Sequence, residues 1–500
     1  MNRKVISLTL VLLLICTLFT GCRESKITTT STIDYQEGSV IDRDASDEDT
    51  LSSNQGGSSD SDGNDKNNVI SNPLAVNLKG ATITIYQSNN EFTPDSTESK
   101  ASAAKVKMLK KIEDTINCKL SVKTMTANQI SSYVAASAAS GNAACDIYVV
   151  PLYTSATYIT GGFAQNLKGV STMDLSKDYM NFANVVDAST IAGKSYALAM
   201  PNAGATVTFF NKRILSEIGS SDKELYSMVK KGTWTLDKFR ELARKAVKDL
   251  DGVAGMSEKD QWGITGTDIK GSAIFGFLNK NNAQMVKMNS AGKLIYNMED
   301  SAVISTINLI NDAFYKDGTG NYSASGDAGK INFFMAGNSL FLCAPTYKAG
   351  EMSTMKDDFG LVPMPNTASG SKTYKSEFNW NYYVCMISSN LSKDKKNNAG
   401  AFLQAYSYLY DKQVLQTTIS EYENRCFCDE ESADMFDIAI SGMQATTSQF
   451  FTMYDDAIQN ATTRAMYNYF NGESSLAEGI EKFKQAAITS LNDINAKLSK

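Results

Sequence analysis

From Ala81 onward the chain alternates short β-branched runs with helical stripes. Ala81–Gln87 (Ala-Thr-Ile-Thr-Ile-Tyr-Gln) puts isoleucine at every second position, which predicts a strand. Val106, Leu109, Ile112 and Ile116 then recur at helical spacing. Strand Cys118–Lys123, helix Ala127–Ser140 and strand Asp146–Val150 complete the series. The order β-α-β-α-β predicts a parallel, doubly wound sheet, because each helical return brings the next strand back in the same sense. Ligands of such sheets sit at the carboxyl ends of the strands. The loops Ser88–Pro94 and Pro151–Thr154 are therefore the first places to look for contacts.

Further along, Lys194–Met200 and Thr206–Phe210 read as two extended segments joined by Pro201-Asn202-Ala203-Gly204. Helices are expected near Lys212–Ile218, Leu236–Leu250 and Ser301–Tyr315, and strands near Ser339–Ala344, Phe359–Val362 and Asn381–Ser388. Helices then fill Lys393–Thr418 and most of Asp429–Lys500. In the last of them Leu476, Ile480, Phe483, Ala487, Leu491, Ile494 and Leu498 form one stripe, which reads as packing. The body is thus α/β with a helical C-terminal portion.

The chain has no histidine, which removes imidazole-dependent hydrolases, His-ligated zinc and haem, and phosphohistidine chemistry. The net charge of −6 argues against a nucleic-acid partner. That charge is unevenly placed: residues 23–75 hold 4 basic and 11 acidic side chains, and Arg3 and Lys4 offset part of it, leaving −1 for residues 76–500. The acidic stretch is rich in Ser, Asp, Asn and Gly and cannot bury enough apolar surface to order itself. Residues 23–78 are read as a solvated tether, of roughly 40 Å typical reach by random-coil scaling.

Ahead of the tether, Arg3 and Lys4 precede the apolar run Val5–Thr20, the pattern of a secretion signal. Its end, Leu18-Phe19-Thr20-Gly21-Cys22, resembles a bacterial lipoprotein cleavage box, and residues 1–22 are assigned to a signal whose Cys22 carries the lipid. Acyl chains contribute about 0.8 kcal/mol per buried methylene, so two or more would hold the protein on a membrane surface. The tether, the Asn/Lys-rich composition and only 7 prolines point to a Gram-positive outer surface. Cys118, Cys145, Cys343 and Cys385 border or lie in predicted strands and read as buried free thiols, and Cys426 and Cys428 are too close for an unstrained ring. Asp249–Asp260 has the length and acidity of a calcium loop, but Val253 and Ala254 stand where a ligand and a glycine are needed, so no metal is expected.

Seven short runs, in one order, carry a resemblance. Cys145-Asp146-Ile147-Tyr148 is followed by Gly161-Gly162-Phe163-Ala164-Gln165-Asn166-Leu167. Gly193-Lys194-Ser195-Tyr196-Ala197-Leu198 comes before Phe210-Asn211-Lys212, and then Trp234-Thr235-Leu236-Asp237-Lys238-Phe239. Phe334-Met335-Ala336-Gly337-Asn338 and Gly360-Leu361-Val362-Pro363-Met364-Pro365 complete the set. Together, over roughly residues 80–500, they resemble the extracellular solute-binding proteins of family 1, the capture components of ATP-driven oligosaccharide importers. The resemblance implies a two-lobe, periplasmic-binding-protein-like type II fold, with residues 79–202 and 374–418 in one lobe and 203–373 and 419–500 in the other. It also implies a monomer that delivers an oligosaccharide to membrane permease subunits, with no cofactor and no catalysis. The Lys194–Phe210 and Pro365–Trp380 stretches look like the crossings between lobes, with Gly204 and Gly370 as hinge candidates.

A sugar site wants aromatic platforms ringed by amides and carboxylates. Trp380, in Glu377-Phe378-Asn379-Trp380-Asn381-Tyr382-Tyr383, has polar neighbours and is the first stacking candidate, with hinge packing as the alternative. Trp234, next to the helix cap Thr235, and Trp262 read as packing. The resemblance adds Tyr347 and Tyr153, while the first loop supplies Asn89 and Glu91 and the first crossing Asn202. Two rival readings remain: a surface sensor or adhesin of the same fold, and a glycan-active enzyme using two carboxylates, which needs no histidine.

Overall fold

A computed structural model describes residues 72–266, 272–322, 326–425, 427 and 429–499. The signal segment with Cys22, the tether up to residue 71, and Cys16, Cys426 and Cys428 lie outside them. No helix among the described residues is long and apolar enough to cross a membrane.

The body is a two-lobe α/β structure built on two main sheets. The first takes the order β2-β1-β3-β12-β4, from Cys118–Thr124, Ala81–Gln87, Ile147–Pro151, Tyr383–Ile387 and Leu198–Ala199. The second is β10-β5-β9-β6, from Phe359–Pro363, Thr206–Asn211, Ser339–Pro345 and Trp262–Gly266. Two-stranded pairs join β7 (Val286–Met288) to β8 (Leu294–Tyr296), and β11 (Ser376–Glu377) to β13 (Met443–Gln444).

β1 pairs in parallel with β2 and β3, as the alternating pattern predicts. The fully parallel sheet is not what forms, because β12 runs antiparallel to both β3 and β4. In the second sheet β5 likewise opposes β9 and β10, while β6 and β9 are parallel. The cause is the same in both. β5 and β12 are the strands that the chain enters from the other lobe. They begin at the cleft and run away from it, whereas the other strands end there. Local helical returns dictate the parallel neighbours, and the crossings dictate the exception.

Helix starts follow their caps. Thr126 with Gln129 and Ser475 with Glu478 form capping boxes that open helices Ala127–Ser140 and Leu476–Leu498. Of the stripe expected on helix Lys100–Thr115, Leu109, Ile112 and Ile116 are buried, Met108 joins them, and Val106 alone is exposed. In the terminal helix the expected stripe is buried apart from the half-buried Phe483. The helix expected over Leu236–Leu250 ends at Ala246, where Val247 turns extended and Lys248 pairs with Gln261.

Trp234 is fully buried: its indole N–H donates to the Pro363 carbonyl at 2.8 Å, and the rings of Phe239 and Phe341 stand 6.1 and 6.0 Å away. Trp262 opens β6 and donates to the Ser257 carbonyl at 2.7 Å. Both tryptophans pack, as expected. Cys118, Cys145, Cys343 and Cys385 are buried free thiols, and burial pushes Cys118 up to about 11 and Cys145 up to about 12.

Candidate functional site: a tyrosine-lined cleft between the two sheets

The reversed strands put five strand ends at one place. The loop after β1 and the end of β4 arrive from the first sheet, and the start of β12 joins them there. The start of β5 and the segment after β9 arrive from the second. Between them lies a pocket of about 270 Å³. Glu91, Met200, Asn202, Tyr382 and Tyr383 line one side, and Ala203, Gly204 and Tyr347 the other. The helical stretch Lys393–Arg425 closes it with Tyr410, Thr418 and Tyr422. A larger depression, of about 430 Å³, runs along the terminal helix between Tyr454 and Lys497. It is an open surface groove with one aromatic ring, whereas the smaller pocket gathers five tyrosines at the lobe junction.

The turn after β1 is closed by Asn89, whose Oδ1 accepts the Glu91 N–H at 3.3 Å. Asn89 itself is outside the pocket lining and holds the turn that presents Glu91. Glu91 is buried; its Oε1 accepts from Lys105 Nζ at 2.8 Å and from the Tyr406 hydroxyl. Burial alone would push the Lys105 ammonium down, but Glu91 and Tyr410 outweigh it and hold it above its ordinary value. The Tyr410 ring lies 5.1 Å from Lys105 Nζ, and burial pushes its hydroxyl up to about 12. Removing one partner of such a buried pair costs about 3–5 kcal/mol, since the other charge is left uncompensated.

At the first crossing, Asn202 Oδ1 accepts the Gly204 N–H at 2.9 Å, and the Tyr382 hydroxyl donates to the Gly204 carbonyl. A Cβ at Gly204 would run into that hydroxyl, so the glycine is needed for close approach. Gly370 has φ of 108°, a conformation suited to glycine, and its N–H donates to the Gly232 carbonyl at 2.8 Å.

Trp380 is half-buried and lies beside the pocket without lining it. Its ring is 6.3 Å from Tyr153 and 6.4 Å from Phe275, which belongs to helix Ser272–Lys280. Its carbonyl accepts the Tyr153 N–H at 3.1 Å, and the Tyr382 carbonyl accepts that of Leu152 at 2.8 Å. The Asn379–Tyr382 turn therefore seats the start of helix Leu152–Thr160 and fixes Tyr153 against Trp380. Tyr153 and Tyr347 keep 36% and 46% of their surface exposed, and Lys348 Nζ lies 5.4 Å from the Tyr347 ring centroid.

Glu91, Asn202 and Tyr347 thus meet in one cavity, Trp380 and Tyr153 form a shelf beside it, and Asn89 supports from behind. The sequence reading missed Tyr382, Tyr383, Tyr410, Thr418 and Tyr422. The first two lie in the very segment that drew attention to Trp380. The other three follow Leu409, where the helix widens into a π-turn over Tyr410–Leu415 and shifts the helical phase. Extrapolating a 3.6-residue period through that turn assigns the wrong face to Tyr422.

In the Asp249–Asp260 loop, carboxylate oxygens of Asp249, Asp251 and Asp260 come within 4.8 Å of one another. They already accept hydrogen bonds from the loop's own chain. Asp260 takes the N–H groups of Leu250 and Ser257 at 2.8 and 2.6 Å, and these hold its carboxyl below the usual range.

No protein-family model matches the chain, and no curated protein matches its sequence. Solved structures do match, and they share the fold. The chain is similar, over 83% of its length and 98% of the other, to the galacto-N-biose-/lacto-N-biose I-binding protein of the ABC transporter from Bifidobacterium longum, in complex with lacto-N-biose, at 15% identity and a TM-score of 0.56. The cyclic alpha-maltosyl-1,6-maltose binding protein from Arthrobacter globiformis matches over 83% of this chain and 100% of that one, at 14% identity and a TM-score of 0.56. An ABC substrate-binding protein from Listeria monocytogenes, in complex with cycloalternan, covers 84% and 99%, at 15% identity and a TM-score of 0.51. The first and third are described as ABC binding proteins and the second as a cyclic-oligosaccharide-binding protein, and theirs is the two-lobe fold that the motif order implied.

Proposed function

We propose that this chain is a lipid-anchored extracellular solute-binding protein that captures an oligosaccharide between its lobes and hands it to an ABC importer. The observation that carries the reading is the interlobe pocket: five tyrosines with Glu91, Asn202 and Thr418 as hydrogen-bonding partners. Tyrosine rings offer flat apolar faces to sugar C–H surfaces, and the polar groups at their edges suit hydroxyls. Trp380 and Tyr153 extend that surface outward, so a chain of several rings fits better than one sugar. The likeness to oligosaccharide-binding neighbours supports the same class of ligand. The role is binding and not catalysis, with cargo released unchanged to the permease subunits.

The test is a thermal-shift screen followed by calorimetry against neutral mono- and oligosaccharides. A bound ligand raises the melting temperature by mass action, and absence of any shift across the panel would overturn the reading. The anchor has its own arm: Cys22→Ala should move the protein from the membrane fraction to the soluble one. Retention on the membrane would mean that an uncleaved helix holds it. New reducing ends in recovered ligand would favour the glycan-active enzyme instead.

A further inference from the structure

Among the described residues that line the interlobe pocket, Glu91 is the only ionisable acid or base, tyrosine hydroxyls aside, and none is a lysine or arginine. Its own cation stands behind it. Lys105 Nζ and the Tyr406 hydroxyl both donate to Oε1, and Lys105 keeps only 15% of its side chain exposed. Among the described residues, Oε2 accepts no hydrogen bond. On the opposite wall Lys348, next to Tyr347, is engaged by Glu351 at 2.8 Å. Among the described residues, the pocket lining therefore offers an entering ligand one anionic acceptor and no lysine or arginine.

We propose that this cleft selects neutral saccharides over uronate-bearing ones, and that Lys105 and Tyr406 are the positioning residues that make Glu91 the selector. The inference rests on the saccharide reading and narrows it. A sugar hydroxyl donates to Oε2 without disturbing the Lys105 pair. A ligand carboxylate placed there meets a like charge whose own cation, Lys105, is already engaged at the other oxygen, and this raises its cost in a water-poor cleft. Lys105 cannot turn to serve the ligand without abandoning Glu91, because a buried carboxylate needs its partner.

The experiment compares maltotriose, cellotriose, mannotriose and galactobiose with the same sugars after selective oxidation of their C6 hydroxymethyl groups to carboxylates. Affinities for the full chain are measured by calorimetry. Whichever neutral member binds should do so at least tenfold more tightly than its oxidised form. Glu91→Gln leaves Lys105 without its counter-charge, so the ratio should fall at least tenfold, toward preference for the oxidised sugar. Lys105→Met leaves Glu91 without its cation. Rejection of the oxidised sugar should then sharpen at least tenfold, because nothing offsets the Glu91 charge, and Lys105→Arg should restore the native ratio. A purely structural lysine would lower stability without altering that ratio. Oxidised forms binding the native chain as tightly as neutral ones would overturn this inference and leave the saccharide reading intact. If no member of either series binds, the reading and the inference fall together. The comparison in the native chain needs no variant, so a Glu91→Gln protein that fails to fold leaves the proposal testable.

Discussion

The two tryptophans beside the crossings sit in opposite surroundings. Trp234 has no exposed surface, a satisfied indole N–H and two phenylalanine rings against it. Trp380 is half-buried, flanked by the exposed Tyr153 on one side and Phe275 on the other, at the rim of the tyrosine pocket. The surrounding charges follow the same division. Near Trp234, on helix Leu236–Ala246, Arg240 and Arg244 both engage Asp317, a pairing that joins two segments of one lobe. Near the pocket, Lys105 engages one oxygen of Glu91, a residue of the pocket lining. In the first region the Trp234 indole N–H and the Asp317 carboxylate are both engaged within the fold. In the second the fold holds polar groups in place without exhausting them, and that is what a binding surface requires.

The largest effect is expected where packing is complete. Trp234→Ala should cost about 3–5 kcal/mol of stability, seen as a marked fall in denaturant midpoint, with ligand affinity of the folded fraction nearly unchanged. Trp380→Ala should give the reverse signature. Loss of an aromatic anchor removes on the order of 2 kcal/mol of binding energy, so affinity should weaken at least tenfold while the ligand-free melting temperature moves little. A strongly destabilised Trp380→Ala protein of native affinity would put both tryptophans in the packing class and erase the contrast.

A smaller effect tests the charges. Burial alone would push the Asp317 carboxyl up, and the Arg244 and Arg240 guanidiniums more than offset it, holding it below the usual carboxylate range. A carboxylate with a depressed folded pKa contributes stability that is present above about pH 4 and lost as pH falls through the lower, folded value. Asp317→Asn should therefore cost about 1–3 kcal/mol at neutral pH, and its unfolding curve should flatten below pH 4 relative to the native chain. Sugar affinity should not change. An Asp317→Asn protein with the native acid limb would show that the arginine pair contributes nothing to it.

Much of this molecule was legible before any coordinates. β1 over Ala81–Gln87 and the helix Ala127–Ser140 have the ends that their residue patterns predict, since alternation and capping act over a few residues. The burial of Trp234 and the Thr235 cap followed from the same local chemistry. The motif order implied the two-lobe fold, and Glu91 could be chosen from its position after the first strand. What local pattern could not supply is anything that depends on a strand arriving from afar. β12 pairs with β3 across more than two hundred residues, so neither its antiparallel sense nor the place of Tyr382 and Tyr383 is written in the β-α-β-α-β stretch. Tyr410 and Tyr422 reach the pocket through a π-turn that resets the helical phase. The partnership of Glu91 with Lys105 and Tyr406 joins a loop, a helix and a second helix 315 residues away from the loop. Sequence determines each of those elements by short-range sterics and burial; only the closing of the sheets around the cleft decides which side chains share its low-dielectric space.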